Sequence, residues 1–241
     1  MSCDFSYSHY KVILENALNA GYQFASFHLL PRNTGTRERV VYLRHDVDGL
    51  LDKAVSLAKI EAELGVQSTY LILVNSPFYN LFEDKSLALI EEIKQLGHWV
   101  GVHVDAAIMP HVALSSIDEL AEKLLVALTP FIGLKRVVSF HRPDPEVLDR
   151  RFETFVSTYE PRFFSEIKYL SDSLGKWREG CPCEVLKEGR YPKLQLLMHP
   201  IWWSEPEQRD VIGLAEEMLE VRHKTCLRYL RTMEPFKSEI K

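Results

Sequence analysis

Several things are scarce in this chain of 241 residues, and each scarcity excludes a class of function. No apolar run approaches the roughly 20 residues that a helix needs to span a bilayer, so no membrane span is expected. Positive charge is not in excess: 29 Lys and Arg stand against 34 Asp and Glu, for a net charge of -5. That argues against a nucleic-acid partner held by phosphate neutralisation. No glycine-rich phosphate loop follows any predicted strand, and the loop directly after the first motif described below holds a single glycine, Gly49. The usual nucleotide cradles are therefore missing. There is no Pro/Gly/Ser-rich linker, low-complexity run or convincing repeat, so a single domain over 1–241 is expected. The opening Met1-Ser2-Cys3-Asp4-Phe5-Ser6 has neither a basic nor an apolar signal region, which predicts a cytoplasmic protein. Cysteine is sparse: Cys3, Cys181, Cys183 and Cys226. Cys181-Pro182-Cys183 is too tight for a thioredoxin-like pair, and no second pair completes a zinc knuckle. All four read as free thiols, with the Cys-Pro-Cys unit incidental.

What the chain does have is an alternation of strand and helix patterns from Val40 onward. Tyr7 to Ala20 reads as a helix with Tyr10, Ile13, Leu14 and Leu18 on one face, and Tyr22 to Phe27 as a short strand. Strands are predicted at Val40–His45, Gln67–Val74, Trp99–Val104, at the run ending in His141, at Phe163–Leu170 and at Leu194–Met198. Helices are predicted at Leu51–Leu64 and Asp84–Leu96, each closed by a glycine, and from a capping box at Ser116 and Glu119 to about Phe131. Residues Glu205 to Arg231 read as a terminal helix or helix pair whose stripe Ile212, Ala215, Leu219, Cys226 and Leu230 faces the core. This is the pattern of a parallel sheet with crossover helices, closed or nearly closed into a barrel.

The strand ends carry the chemistry. In Arg44-His45-Asp46-Val47-Asp48 the period of two puts Asp46 and Asp48 on one face with Tyr42 and Arg44, and Val41, Leu43 and Val47 on the other. Two adjacent carboxylates at a buried strand end are costly without a cation or donors. They point to a metal site or a general base, or to a carboxylate pair held by Arg44 and loop amides. In Trp99 to Asp105, Gly101, His103 and Asp105 share the inward face. Ser139 and His141 share a face before Arg142-Pro143, and His199 precedes Pro200. Parallel α/β sheets and barrels place their chemistry at the C-terminal ends of strands. His45 and His98 fall on helix-packed faces and read as satisfied buried histidines.

The order Arg-His-Asp-Val-Asp, Gly-His-x-x-Gly-x-His, His-Arg-Pro and Leu-x-His resembles the polysaccharide deacetylase family, also called carbohydrate esterase family 4. It is most similar to the sugar deacetylases of bacterial O-antigen and surface-polysaccharide clusters, over a motif core of 40–203. The resemblance implies a deformed (β/α) barrel of the NodB type. It also implies a hydrolase that removes an N-acetyl group from a sugar or glycoconjugate with a divalent transition metal, zinc by preference. It assigns Asp46 as the base, Asp48 and His103 as metal ligands, Arg142 as the contact of the base, and His199 as the acid. The family's second histidine falls on Ala107, which cannot bind metal.

His141 is the favoured replacement ligand. Asp105 and the more remote His111 are alternatives, as are a role for His141 in orienting Asp46 and a metal-free site. Asp172 and Trp177 match the family's fourth motif loosely and are assigned, with Asp105, to substrate binding; Trp202 and Trp203 are expected to pack under a loop. A non-catalytic carbohydrate-binding protein that has lost the full metal site is the competing reading, and Ala107 is the feature that favours it.

Overall fold

The computed structural model describes residues 3–29, 39–105, 117–205, 210–234 and 236–237. Among the described residues eight strands follow one another as β1 Tyr22–Phe24, β2 Arg39–Val47, β3 Thr69–Leu73, β4 Trp99–Val104, β5 Val137–Phe140, β6 Val156–Ser157, β7 Lys168–Ser171 and β8 Lys193–Met198. The helices are α1 Tyr7–Asn19, α2 Leu51–Glu63, α3 Asp84–Gln95, α4 Ile117–Ile132, α5 Pro182–Lys187 and α6 Val211–Leu230. Every strand pairing is parallel, in the order β6-β5-β4-β3-β2-β8-β7, and β1 lies beside the start of β2. The sheet curls into a deformed (β/α) barrel that is left open between β6 and β7. No helix among the described residues is long and apolar enough to cross a membrane.

The period of two divides each strand between two environments. Outward residues such as Tyr70, Ile72, Val100, Val102, Val104 and Val138 pack against α2, α3 and α4, while Val41, Leu43, Leu194 and Leu196 pack against α1 and α5. Inward residues stack in layers. The bottom is apolar: Phe27, Val40, Tyr42, Leu71, Val137 and Phe163. Gly101 belongs to this layer, where an added Cβ would lie 2.4 Å from the Val137 carbonyl oxygen and 2.7 Å from Leu71. Above it lie Arg44 and Gln195, and Asp46, His103 and Ser139 come next. The polar end of the barrel is thus the C-terminal end of the strands.

Three expectations need correction. The strand expected over Phe163–Leu170 begins only at Lys168, because Phe163 sits in a turn after Glu160 and plugs the barrel floor against Phe27 and Tyr42. Leu18 is 37% exposed, and Ala17 fills the buried face of α1 instead. The stripe on α6 does not face the core: Ile212 is 71% and Leu219 62% exposed, while Leu214 is buried. That helix meets the barrel through Leu214, a Lys53–Glu217 ion pair and Met218 over Gly49, a face rotated from the one the apolar spacing marks. Ala107, His111 and the capping serine Ser116 lie outside the described residues.

Candidate active site

The rim of the barrel brings together three groups from adjacent strand ends. Asp48 follows β2, His103 is on β4 and His141 follows β5. His103 Nε2 lies 3.3 Å and His141 Nδ1 3.1 Å from Asp48 Oδ1, and the two nitrogens are 3.2 Å apart. Tetrahedral ligands at about 2.0–2.2 Å from zinc would be separated by about 3.3–3.6 Å, so the three donors stand close to the spacing such an ion requires. Asp48 Oδ1 is buried and, among the described residues, makes no well-aligned hydrogen bond, although the two imidazole nitrogens lie within reach of it. The backbone there is held by Ser76, which donates to the Asp48 carbonyl at 2.8 Å.

His103 is held in a form suited to ligation. Ser139 Oγ is 2.6 Å from His103 Nδ1 and donates to Asp46 Oδ1 at 3.2 Å. With its proton directed to Asp46, Ser139 accepts from Nδ1–H, which leaves the Nε2 lone pair facing Asp48 and His141. Burial opposes ionisation of Asp48, but N–H donation and positive charge from His103 and His141, when these rings carry the extra proton in place of a metal, outweigh it and hold the carboxyl well below its usual range. Asp48 in turn raises the pKa of His141. The cluster draws positive charge to itself, either by protonating His141 or by taking a cation.

Asp46 lies beneath this cluster, its Oδ2 3.6 Å from His103 Nε2. The arginine that holds it is Arg44, two residues back on the same face. Nε donates to Oδ1 at 2.8 Å and Nη2 to Oδ2 at 2.6 Å. Arg44 is completely buried. It also reaches Tyr159 Oη at 3.0 Å and Gln195 Oε1 at 3.3 Å, with its guanidinium 4.6 Å from the centre of the Tyr159 ring. Burial disfavours the charged form of Asp46, and Arg44 with His103 overcomes it and lowers its pKa. The expectation that Arg142 contacts the base is therefore corrected. Arg142 pairs with the buried Asp105, its own side chain is 60% exposed, and its backbone has φ of 50°. A left-handed arginine at a site rim is strained and so marks a constrained position. Asp105, expected to bind substrate or metal, is instead the anchor of Arg142.

On the other side of the mouth, His199 follows β8. Asp172, next to it after β7, accepts from His199 Nδ1 at 2.7 Å, from its backbone N–H at 3.0 Å and from Trp203 Nε1 at 3.0 Å. Asp172 is fully buried, so it cannot meet a substrate. Its oxygens are taken up by His199 and Trp203, at a depth away from the substrate contact expected of it. Burial alone would lower the pKa of His199, but Asp172, helped by the charges of Asp48 and Asp46, pushes it up to about 9. Trp203 is fully buried against Phe5 and Tyr10, as a packing residue. Trp177 stacks at 6.4 Å on Phe5 and borders a cavity of about 300 Å³ with Pro143, Tyr169, Ser171 and Ser173.

Arg44 holds Asp46, as the alternative of a carboxylate pair held by Arg44 expects, whereas the resemblance gives that contact to Arg142. His45 and His98 lie on the outer, helix-packed face and bond to Glu61 and the Ala58 carbonyl.

No family model matches the chain, and no curated protein matches it. Solved structures do. The chain is similar to the deacetylase PplD of Streptococcus pyogenes in complex with acetate, at 15% identity and a TM-score of 0.44, over 80% of this chain and 81% of that one. It is similar to the chitin deacetylase of the fungal pathogen Colletotrichum lindemuthianum, at 14% identity and a TM-score of 0.43, over 78% and 83%. A carbohydrate esterase family 4 pseudoenzyme from Bacillus anthracis matches at 13% identity and a TM-score of 0.42, over 79% and 63%.

Proposed function

We propose that this chain is a metal-dependent hydrolase that removes an N-acetyl group from a sugar. The observation that carries the reading is the Asp48–His103–His141 donor set at ligand spacing, flanked by one carboxylate held ionised and one imidazole held protonated. Groups whose environments push their pKa values apart mark an acid and a base. When bound, a divalent ion at these three residues supplies Lewis acidity toward an amide carbonyl and makes a water easier to deprotonate. Asp46 takes the proton of the attacking water at Oδ2, while Arg44 keeps the carboxylate oriented and charged. His199 gives its Nε2 proton to the leaving amine, and Asp172 retains Nδ1–H and steadies the ring. Arg142, exposed at the rim and anchored on Asp105, is placed to contact the substrate.

The finer reading is zinc as the metal and a sugar precursor of a bacterial surface polysaccharide, such as O-antigen, as the substrate, handled in the cytoplasm. The motif order supports the substrate. The absence of disulfides among the four cysteines suits a reducing compartment.

Elemental analysis and acetate release from N-acetylated sugars test this together. Asp48→Ala and His103→Ala should each lose one equivalent of metal and the acetate release with it. Full turnover in metal-free Asp48→Ala would sink the proposal. So would wild-type protein that takes up no zinc, cobalt, nickel or manganese at these residues and releases no acetate; the sugar-binding reading would then stand.

A further inference from the structure

The Cys-Pro-Cys unit that looks incidental in sequence is not isolated in space. Cys181 Sγ lies 3.1 Å and Cys183 Sγ 3.2 Å from His9 Nε2, across 172 and 174 residues of chain. Cys3 joins them: its sulfur, a ring nitrogen of His9 and the Cys181 sulfur all lie within 4.8 Å of one another. Two thiols and one imidazole thus gather at a place far in sequence from the Asp48 cluster, a third thiol, Cys183, reaches the same imidazole, and no step of the proposed reaction uses them.

The local structure is built to bring them there. Ser6 caps α1 by accepting from His9 N–H at 3.0 Å, and Asp4 Oδ1 accepts from Ser6 N–H at 2.9 Å. This turn, with Phe5 at φ 55°, folds Cys3 back over the first turn of α1 where His9 sits. Opposite, Cys181 precedes the first residue of α5 and Pro182 starts that helix, so the one-residue spacing delivers both thiols to the same end. Asn16 donates to the Cys183 carbonyl at 3.5 Å and helps hold α1 against α5. The outer nitrogen of His9 faces Asp4 Oδ1 at 3.9 Å, a charge contact too long for a hydrogen bond.

We propose that Cys3, His9, Cys181 and Cys183 bind one zinc ion in a closed, structural site. A set of three sulfurs and one imidazole is a standard structural donor set for zinc, with Zn–S near 2.3 Å and Zn–N near 2.0–2.1 Å. A disulfide would consume two thiols and leave the third, and the histidine at its centre, without a purpose. Binding releases the three thiol protons, so zinc uptake weakens as pH falls. The ion ties the start of the chain to the segment between Asp172 and β8, which leads into His199. It leaves no open position for a substrate.

Thiol titration of the full chain tests this, because Cys226 is exposed and lies outside the cluster. In zinc-saturated protein one thiol should react promptly, and four after chelation. Cobalt-loaded wild type should show thiolate-to-cobalt charge-transfer absorption. The band should persist in Asp48→Ala, which keeps the test independent of the active-site reading, and vanish in the Cys181→Ser/Cys183→Ser double variant. Should that variant fail to fold, His9→Gln should lower zinc affinity at least tenfold in the thiol-protection assay. Four equally reactive thiols in zinc-saturated protein, no charge-transfer band in wild type, or a Cys3–Cys181 disulfide in zinc-replete protein would each overturn the proposal.

Discussion

Two clusters of one carboxylate and two histidines sit on opposite faces of β2, and they differ in everything but composition. On the outer face, Glu61 of α2 meets His45 at 2.7 Å and His98 at 3.2 Å, all three side chains with no exposure. Tyr10 donates to Oε1, Tyr70 to the same oxygen at 3.0 Å, and Ser68 to Oε2 at 2.5 Å. His98 is committed as well, with Nε2 on the Ala58 carbonyl at 2.9 Å and Nδ1 accepting from Ser68 N–H at 3.3 Å, whereas His45 Nδ1 is buried without a hydrogen-bond partner among the described residues. On the inner face, Asp48 meets His103 and His141 at similar distances, but among the described residues no hydroxyl donates to its Oδ1, and the Asp48 and His141 side chains remain 20% and 27% exposed. The number of histidines does not distinguish a structural network from a site. What does is whether hydroxyl donors saturate the carboxylate and seal it from solvent.

The largest effects expected on either side sharpen that contrast. Asp46→Asn keeps Arg44 packing and the metal donors but removes the base, so acetate release should fall about 10²–10⁴-fold with metal content unchanged. Metal lost along with turnover would make Asp46 a ligand and not a base. Glu61→Ala strands His45 and the tyrosines in a dry interior, and breaking such a buried pair costs about 3–5 kcal/mol. Urea unfolding should show that loss, while the native baseline retains its active-site metal. If instead Glu61→Ala released the metal without a stability loss, the two clusters would have been assigned to the wrong faces.

Much of this contrast was legible before the fold was known. The period of two placed His45 and His98 against the helices and Asp46, His103, Ser139 and His141 inward, because side-chain alternation in a strand needs no knowledge of its neighbours. Glycine stops at Gly65 and Gly97 delimited α2 and α3 for the same local reason. The misreadings came from contacts that local pattern does not encode. Arg44 and Arg142 both neighbour an acidic strand end, and only the depth of Arg44 below the rim decides that it holds Asp46. Asp172 bonds His199 because β7 and β8 pair, and the thiols of Cys3 and Cys181 meet because α1 docks on α5. On α6, the apolar stripe predicted a buried face, but the helix settled on Leu214 and Met218 where Gly49 leaves room.

Ser139→Ala should have an intermediate effect. It removes the acceptor that fixes the His103 tautomer, and loss of such an outer partner typically costs about 10–100-fold in metal affinity or activity. The matching change on the outer face, Ser68→Ala, should leave metal affinity untouched. Competition with a fluorescent chelator measures both, and equal losses would erase the distinction between the faces.

The smallest effect separates the acid from the ion that it works beside. His199 is held up to about 9, above an ordinary value near 6.5, so its stabilising bond to Asp172 is complete below the unfolded value and lost as pH rises through the folded one. If the imidazolium is the acid, acetate release falls on the same alkaline limb. Asp172→Asn removes the largest of the charges that raise His199, and burial, opposed only by the more distant Asp48 and Asp46, pulls it back toward its ordinary value. At that value the protonated fraction at pH 7 would drop from nearly complete to about a quarter, a roughly fourfold loss with metal content intact, and the limb would move down by about two units. A rate profile that keeps its alkaline limb in Asp172→Asn would assign that limb to the water beside Asp46 and leave His199 as a binding group.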